Sequence, residues 1–358
     1  MLKRVVLCLL AITAMVSTPA LPQEKTAGIV RQAIDGFVRP GYASFHDAVS
    51  GLGATVDALC ETPSQPALDA ARQNFGETAA AWARIEIIRF GPVTEENRLE
   101  RVLFWPDRKG TGLRQVQAAL ADKDPSAADP ARLAGKSVAM QGLGALEFVL
   151  FGTGADALAD PDDPYRCAYG SAIAANLETI AGDVENAWAD AGGFAAQWAS
   201  PSPDNPLYRD DREALTELLE VFVTGLELVR DVRLGGFLGA EPDKDRPKQA
   251  LFWRSGNTVA ALAGNLAGLQ ALFTASGLGD AVGPDMGWIA DSATFEFANA
   301  AKAVAAADHP VAELLADPEK RAKLAYFGIV TSSLSEIFGT RLSAELGLTA
   351  GFSSLDGD

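Results

Sequence analysis

The sequence predicts an all-α protein made of two helical bundles joined near residues 200–208. Three observations predict it. Apolar residues recur at helical spacing along the chain, and after the first twenty residues no period-2 run is bounded by turn residues. Prolines fall almost entirely between the periodic segments, because a helix interior cannot accommodate them. The stretch Ser200-Pro201-Ser202-Pro203-Asp204-Asn205-Pro206 is the strongest linker signal in the chain.

The elements follow in chain order. Lys3 and Arg4 precede an apolar run of 12 residues, 5–16, and Thr18-Pro19-Ala20 places small residues at a cleavage site. This is the pattern of a secretory signal removed after Ala20. The run is too short to cross roughly 30 Å of hydrocarbon, so no transmembrane anchor is expected after cleavage. Cys8 lies inside the run and makes a poor lipid-attachment site, so the expected product is periplasmic. Residues 66–90 form an Ala-rich helical segment stopped by Gly91-Pro92. Residues 164–198 form a second long helical stretch. In residues 209–234, Leu215, Leu218, Leu219, Phe222, Leu226 and Val229 make one apolar stripe. Asp317-Pro318 reads as an N-cap with proline in the first turn, opening a helix to about Leu346. The expected organisation is a signal at 1–20, an N-terminal bundle at 21–203 and a C-terminal bundle at 204–358.

Composition narrows the partners. Of 358 residues, Asp plus Glu number 47 against 30 Lys plus Arg, a net charge of −17. Such a chain lacks the basic face that a nucleic-acid backbone or an anionic membrane needs. Two cysteines, Cys60 and Cys167, remain after signal removal. In an oxidising compartment they most simply pair; two buried free thiols are the alternative.

Several chemistries are excluded. The only histidines, His46 and His309, are far apart, so neither a His-Glu-x-x-His nor a three-His zinc site can form. There is no Gly-x-Ser-x-Gly nucleophile elbow and no phosphate-binding loop. Gly142-x-Gly144 follows no strand and is not a dinucleotide fingerprint.

Three segments carry charge among apolar residues. In 141–152, Glu147 is the only charge, and a carboxylate there must be paired, protonated or metal-bound. Gly144 lies one turn before it, and Gly142 and Gly144 open space for a backbone or ligand. In 82–92, Glu86 and Arg89 are three apart and can face each other. In 252–257, Trp253, Arg254 and Ser255 stand together, and Arg254 is a candidate partner for Glu147 or for an anionic ligand. The plainer readings are tight helix packing at 142–147, an intrahelical ion pair at 86–89, and a surface arginine beside a core tryptophan at 253–254.

Together these pieces resemble the imelysin family, also called M75 peptidases, whose hallmark is Gly-x-His-x-x-Glu on a helix. Gly142-Leu143-Gly144-Ala145-Leu146-Glu147 occupies that motif. Arg89-Phe90-Gly91-Pro92, Phe104-Trp105-Pro106-Asp107, Trp253-Arg254-Ser255 and the ending Gly351-Phe352-Ser353-Ser354-Leu355-Asp356-Gly357-Asp358 extend the likeness in the same order. The chain is most similar to the branch of periplasmic iron-regulated proteins. The resemblance implies two helical-bundle domains with a functional groove between them, a link to iron uptake, and a metallopeptidase label. Gly144 stands where the motif has histidine, and glycine cannot ligate a metal.

The expected function is therefore a non-catalytic, exported protein of iron homeostasis, binding in the groove through Glu86, Arg89, Gly142, Gly144, Glu147, Trp253, Arg254 and Ser255. Its ligand would be a metal, a metal complex or an envelope protein. If a metal binds, iron or another divalent ion would sit on Glu147, with Glu86 as a second oxygen donor; Arg89 and Arg254 suit an anionic chelate instead. Two alternatives stand beside it. One is an M75-type metallopeptidase. The other is a module for envelope polysaccharide or protein, using Trp82, Trp105 and Trp253 as stacking surfaces.

Overall fold

In the computed structural model, residues 23–348 are described, with side chains from residue 26. The signal segment and the 351–358 ending lie outside the described residues. No strand occurs among the described residues.

Helix α1 (Gln23–Ala33) runs through a π-helical turn, Ile34–Val38, into α2 (Arg39–Glu61). Helix α3 (Gln65–Ile85) starts at Ser64, whose Oγ accepts from the Ala67 N–H at 3.4 Å, with Pro66 in the first turn. It ends five residues before the expected limit of 90. The chain turns at Glu86, and Gly91 takes a left-handed φ of +67°.

Helices α4 (Thr111–Asp122) and α5 (Gly142–Phe151) follow in the first half. Helix α6 (Pro164–Ala189) is capped by Asp163, which accepts from the Arg166 N–H at 3.2 Å. The expected continuous stretch to 198 is broken at 190–193, where Gly192 and Gly193 give no support to a helix; a short helix, Phe194–Ala199, comes after.

The second half holds α7 (Asp211–Glu227), α8 (Thr258–Ser276), α9 (Trp288–Ala305) and α10 (Pro318–Glu336). Helix α7 carries the apolar stripe inward and continues as a π-helical turn, Leu228–Leu234. Asp317 caps α10 as expected, accepting from the Glu319 and Lys320 N–H groups. After α10 a π-helical turn (Ile337–Leu342) and a last short turn carry the helical path to Glu345, one residue short of the expected limit.

In the first half α2 packs on α3 and α6, while α5 lies against α6 and α3. In the second, α9 packs on α10 and α8, and α7 on α10. The halves meet chiefly where α8 lies along α3. Two glycines let these backbones touch: a Cβ on Gly264 would sit 2.9 Å from the Ala83 Cβ, and one on Gly268 would overlap the Arg84 carbonyl. Helix α1 lies against α7 and α8, so the described N-terminus runs with the second half.

The Cys60–Cys167 disulfide ties the end of α2 to the start of α6, with Cα atoms 5.5 Å apart and a sequence separation of 107. Closing so long a loop restricts the unfolded chain and stabilises the fold by about 4–5 kcal/mol. Urea unfolding of the Cys60→Ser/Cys167→Ser double variant is expected to show a loss of that size, with native helical content retained before the transition.

Candidate functional site

The site is built around α5. Gln141 anchors the entry to this helix: its Oε1 accepts from Arg101 Nε at 3.1 Å and from Asn176 Nδ2 at 3.0 Å. Gly142 follows with φ +74°, and a Cβ there would overlap the carbonyls of Arg101 and Val102. Only glycine serves at this position, for conformation and for space. Gly144 is different. Nothing lies nearer a Cβ there than the Phe104 carbonyl at 4.0 Å, and the residue borders a cavity.

Glu147, one turn on, is 5% exposed. Its Oε1 lies 3.1 Å from the Arg254 N–H nitrogen, 3.0 Å from that of Ser255 and 2.9 Å from Ser255 Oγ. The Ser255 hydroxyl is also 3.1 Å from the Phe252 carbonyl, and its single proton serves one acceptor at a time. The donors belong to a tight turn closed by the Asn257 N–H on the Phe252 carbonyl, 3.1 Å. Phe252 and Gly256 take φ of +56° and +75° in it. Burial pushes the Glu147 carboxyl above its ordinary value of 4.5, opposed by the Ser255 amide and hydroxyl, the Arg254 charge and the Arg254 amide.

Arg254 does partner Glu147, as its sequence context suggests, but through its main-chain N–H and not its guanidinium. The guanidinium stacks elsewhere, 4.5 Å from the Trp253 ring centre and 5.5 Å from that of Phe148. Burial lowers its pKa while the Glu147 charge raises it.

A cavity of about 580 Å³ opens beside Gly144, Glu147, Trp253 and Arg254. Its walls come from both halves: 104–116 and 139–148 on one side, 231–236 and 246–254 on the other. Its charges are unequal in their commitments. Asp107 caps α4, accepting from the Thr111, Gly112 and Leu113 N–H groups at 2.6, 2.9 and 3.2 Å. Asp231 holds Arg230 at 2.8 Å, and Glu147 holds the turn. Arg108, Arg246, Lys248 and Arg254 have no ion-pair partner among the described residues. The first three are exposed at the rim, and Lys248 Nζ lies 5.8 Å from the Trp253 ring.

Glu86 and Arg89 sit in a second, smaller cavity of about 190 Å³. They do not pair. Glu86 Oε2 accepts from Arg233 Nη2 at 2.6 Å, and Oε1 from Asn265 Nδ2 at 2.7 Å. Trp82 and Trp105 also line this cavity. Arg233 and Asn265 carry no local sequence signal, being 147 and 179 residues from Glu86. Arg108, Arg246 and Lys248 read as ordinary loop charges.

A resident metal does not fit this donor set. Among the described residues no three His, Cys, Asp or Glu side chains cluster as metal ligands. Gly144 offers no donor, Glu147 Oε1 is already engaged, and both Glu86 oxygens are taken. His46 is held by Glu185 at 2.6 Å, away from either cavity.

Residues 38–336 match the family model for imelysin, peptidase M75. The chain belongs to the imelysin family. It is 25% identical over 318 residues to iron-regulated protein A of Synechococcus elongatus, covering 81% of this chain and 79% of that one. Among solved structures, an iron-regulated protein A precursor from Parabacteroides distasonis superposes with a TM-score of 0.75 at 14% identity, over 92% of this chain and 97% of that one. An imelysin-like protein from Psychrobacter arcticum gives 0.71 at 22% identity, over 93% and 100%. These two likenesses establish the all-helical imelysin-like fold.

The buried carboxylate has a stability signature. Its folded form binds a proton more tightly than the unfolded chain does. Its contribution is thus fully present below pH 4.5 and is lost as pH rises through the raised folded value. Glu147→Gln is expected to remove that slope. Glu147→Ala leaves buried donors unsatisfied and is expected to cost about 2–3 kcal/mol. Denaturant unfolding of the three proteins across this pH range measures both effects.

Proposed function

We propose that this imelysin-family member is an exported, non-catalytic protein of iron homeostasis, and that its ligand is a negatively charged metal complex held in the 580 Å³ cavity. The observation that carries this reading is the set of four cations around the cavity without carboxylate partners among the described residues, in a chain of net charge −17. Rim cations on an otherwise acidic surface steer an anion to one place. Arginine suits the carboxylate or phenolate oxygens of a chelate. Trp105 and Trp253, both half-buried on the wall, give an organic ligand flat surfaces to stack on.

A bare cation is disfavoured because the acidic groups are committed to capping, pairing and the turn. Peptide hydrolysis through a metal lacks its ligand set once glycine replaces the motif histidine. Export and a periplasmic location are supported by the basic and apolar N-terminal pattern, by the disulfide, and by the description of the Parabacteroides relative as a precursor.

Calorimetric titration of the mature protein with ferric citrate, and separately with ferrous and zinc ions, tests the reading. Saturable one-site binding of the tricarboxylate chelate is expected, weakening as salt rises. Arg254→Ala and Lys248→Ala are each expected to weaken it by about tenfold, the loss of one charge-assisted contact. Equal affinity in wild type and both variants, or saturable binding of the bare ions alone, would overturn it.

A further inference from the structure

The smaller cavity is lined by residues whose buried donors find no acceptor among the described residues. Phe104, Trp105 and Pro106 wall it off from the larger cavity, facing both. Arg233 and Trp82, 4% and 1% exposed, form its other side. Arg233 gives Nη2 to Glu86, but its Nε and Nη1 find no acceptor among the described residues, nor does Trp82 Nε1. Leaving a buried donor unsatisfied costs about 1–3 kcal/mol, and more when it is charged. The Trp105 ring lies 4.5 Å from the Arg233 guanidinium centre, which leaves the in-plane N–H edges for an acceptor.

Charge points the same way. Glu86 is already shared by Arg233 and Asn265. Arg89, half-buried on the same wall, has no ion-pair partner among the described residues, and its charge acts against that of Arg233. The remaining acid on the lining, Glu100, is exposed. The enclosed part thus holds two cations against one committed carboxylate. Water can accept from the N–H groups, but it cannot neutralise the extra charge.

We propose that this inner cavity is a binding site for a small oxyanion no larger than phosphate, held by Arg233, Arg89 and the Trp82 indole N–H. A compact oxyanion offers several lone pairs in different directions, as donors from three side chains require. Its occupant is a free anion, separate from the larger ligand in the outer cavity.

Scanning calorimetry of the mature protein, freed of small anions and titrated with sodium formate or inorganic phosphate, tests the site. Sodium gluconate holds the ionic strength constant. Binding to the native state alone raises the thermal midpoint by mass action. The expected result is a saturable rise whose half-point moves about tenfold higher in Trp82→Phe, which keeps the ring and deletes the donor, and in Arg89→Gln. Arg254→Ala, in the outer cavity, should leave the half-point unchanged. Arg233 is not substituted, since its loss would strand Glu86. No saturable rise in the wild type would make water the occupant and overturn the proposal. Unchanged half-points in both inner variants, or a shift in Arg254→Ala alone, would place the anion outside this cavity and overturn it equally.

Discussion

A single carboxylate oxygen joins the two halves of the site. Glu147 Oε1 gathers two main-chain N–H groups and a hydroxyl from the 252–257 turn, across more than a hundred residues of chain. The turn carries left-handed backbone at Phe252 and Gly256, and such conformations persist only where their surroundings fix them. Holding it there sets Trp253 and Arg254 on the cavity wall. The same engagement takes up one of the two Glu147 carboxylate oxygens. Structure and chemistry at this position are therefore linked: the Oε1 that holds the turn also builds the wall.

The consequence is a separation of charge. Acidic groups dominate the chain, yet those around the 580 Å³ cavity each have a local partner, while the cations around it have no ion-pair partner among the described residues. Gly144 contributes by what it lacks. The motif's histidine position opens on the cavity and itself carries no side chain. The proposed ligand would be selected by charge and shape rather than by direct coordination. Glu86, the other acid that suggested metal binding, is engaged in the same manner by Arg233 and Asn265. Two buried carboxylates thus stabilise contacts between the halves and leave cationic surface behind them.

Much of the fold was legible in residues 209–229 and at Asp317-Pro318, because an apolar stripe and a cap are local signals. The disulfide was legible because only two cysteines remained to pair. The break after Ala189 was not read, although Gly192-Gly193 stands there, because apolar spacing continues on both sides of it. The π-helical turns change no composition and left no mark. At the site, Glu147 was legible as a charge in need of a partner. Its true partners were not, since main-chain N–H groups are available at any residue and only the fold selects them. Arg233, Arg246 and Lys248 likewise gain their meaning from position, and nothing in their local sequence separates them from surface charges.

Glu147 is a structural anchor beside the cavity proposed to bind an anion. An anomalous difference map at the iron absorption edge, from crystals of the mature protein soaked in ferric citrate, tests this most directly. One peak is expected inside the 580 Å³ cavity, the chelate oxygens facing Arg246, Lys248 and Arg254, with Glu147 still bonded to the 254–255 amides. A peak bound directly by the Glu147 carboxylate, or no peak in the cavity, would contradict it.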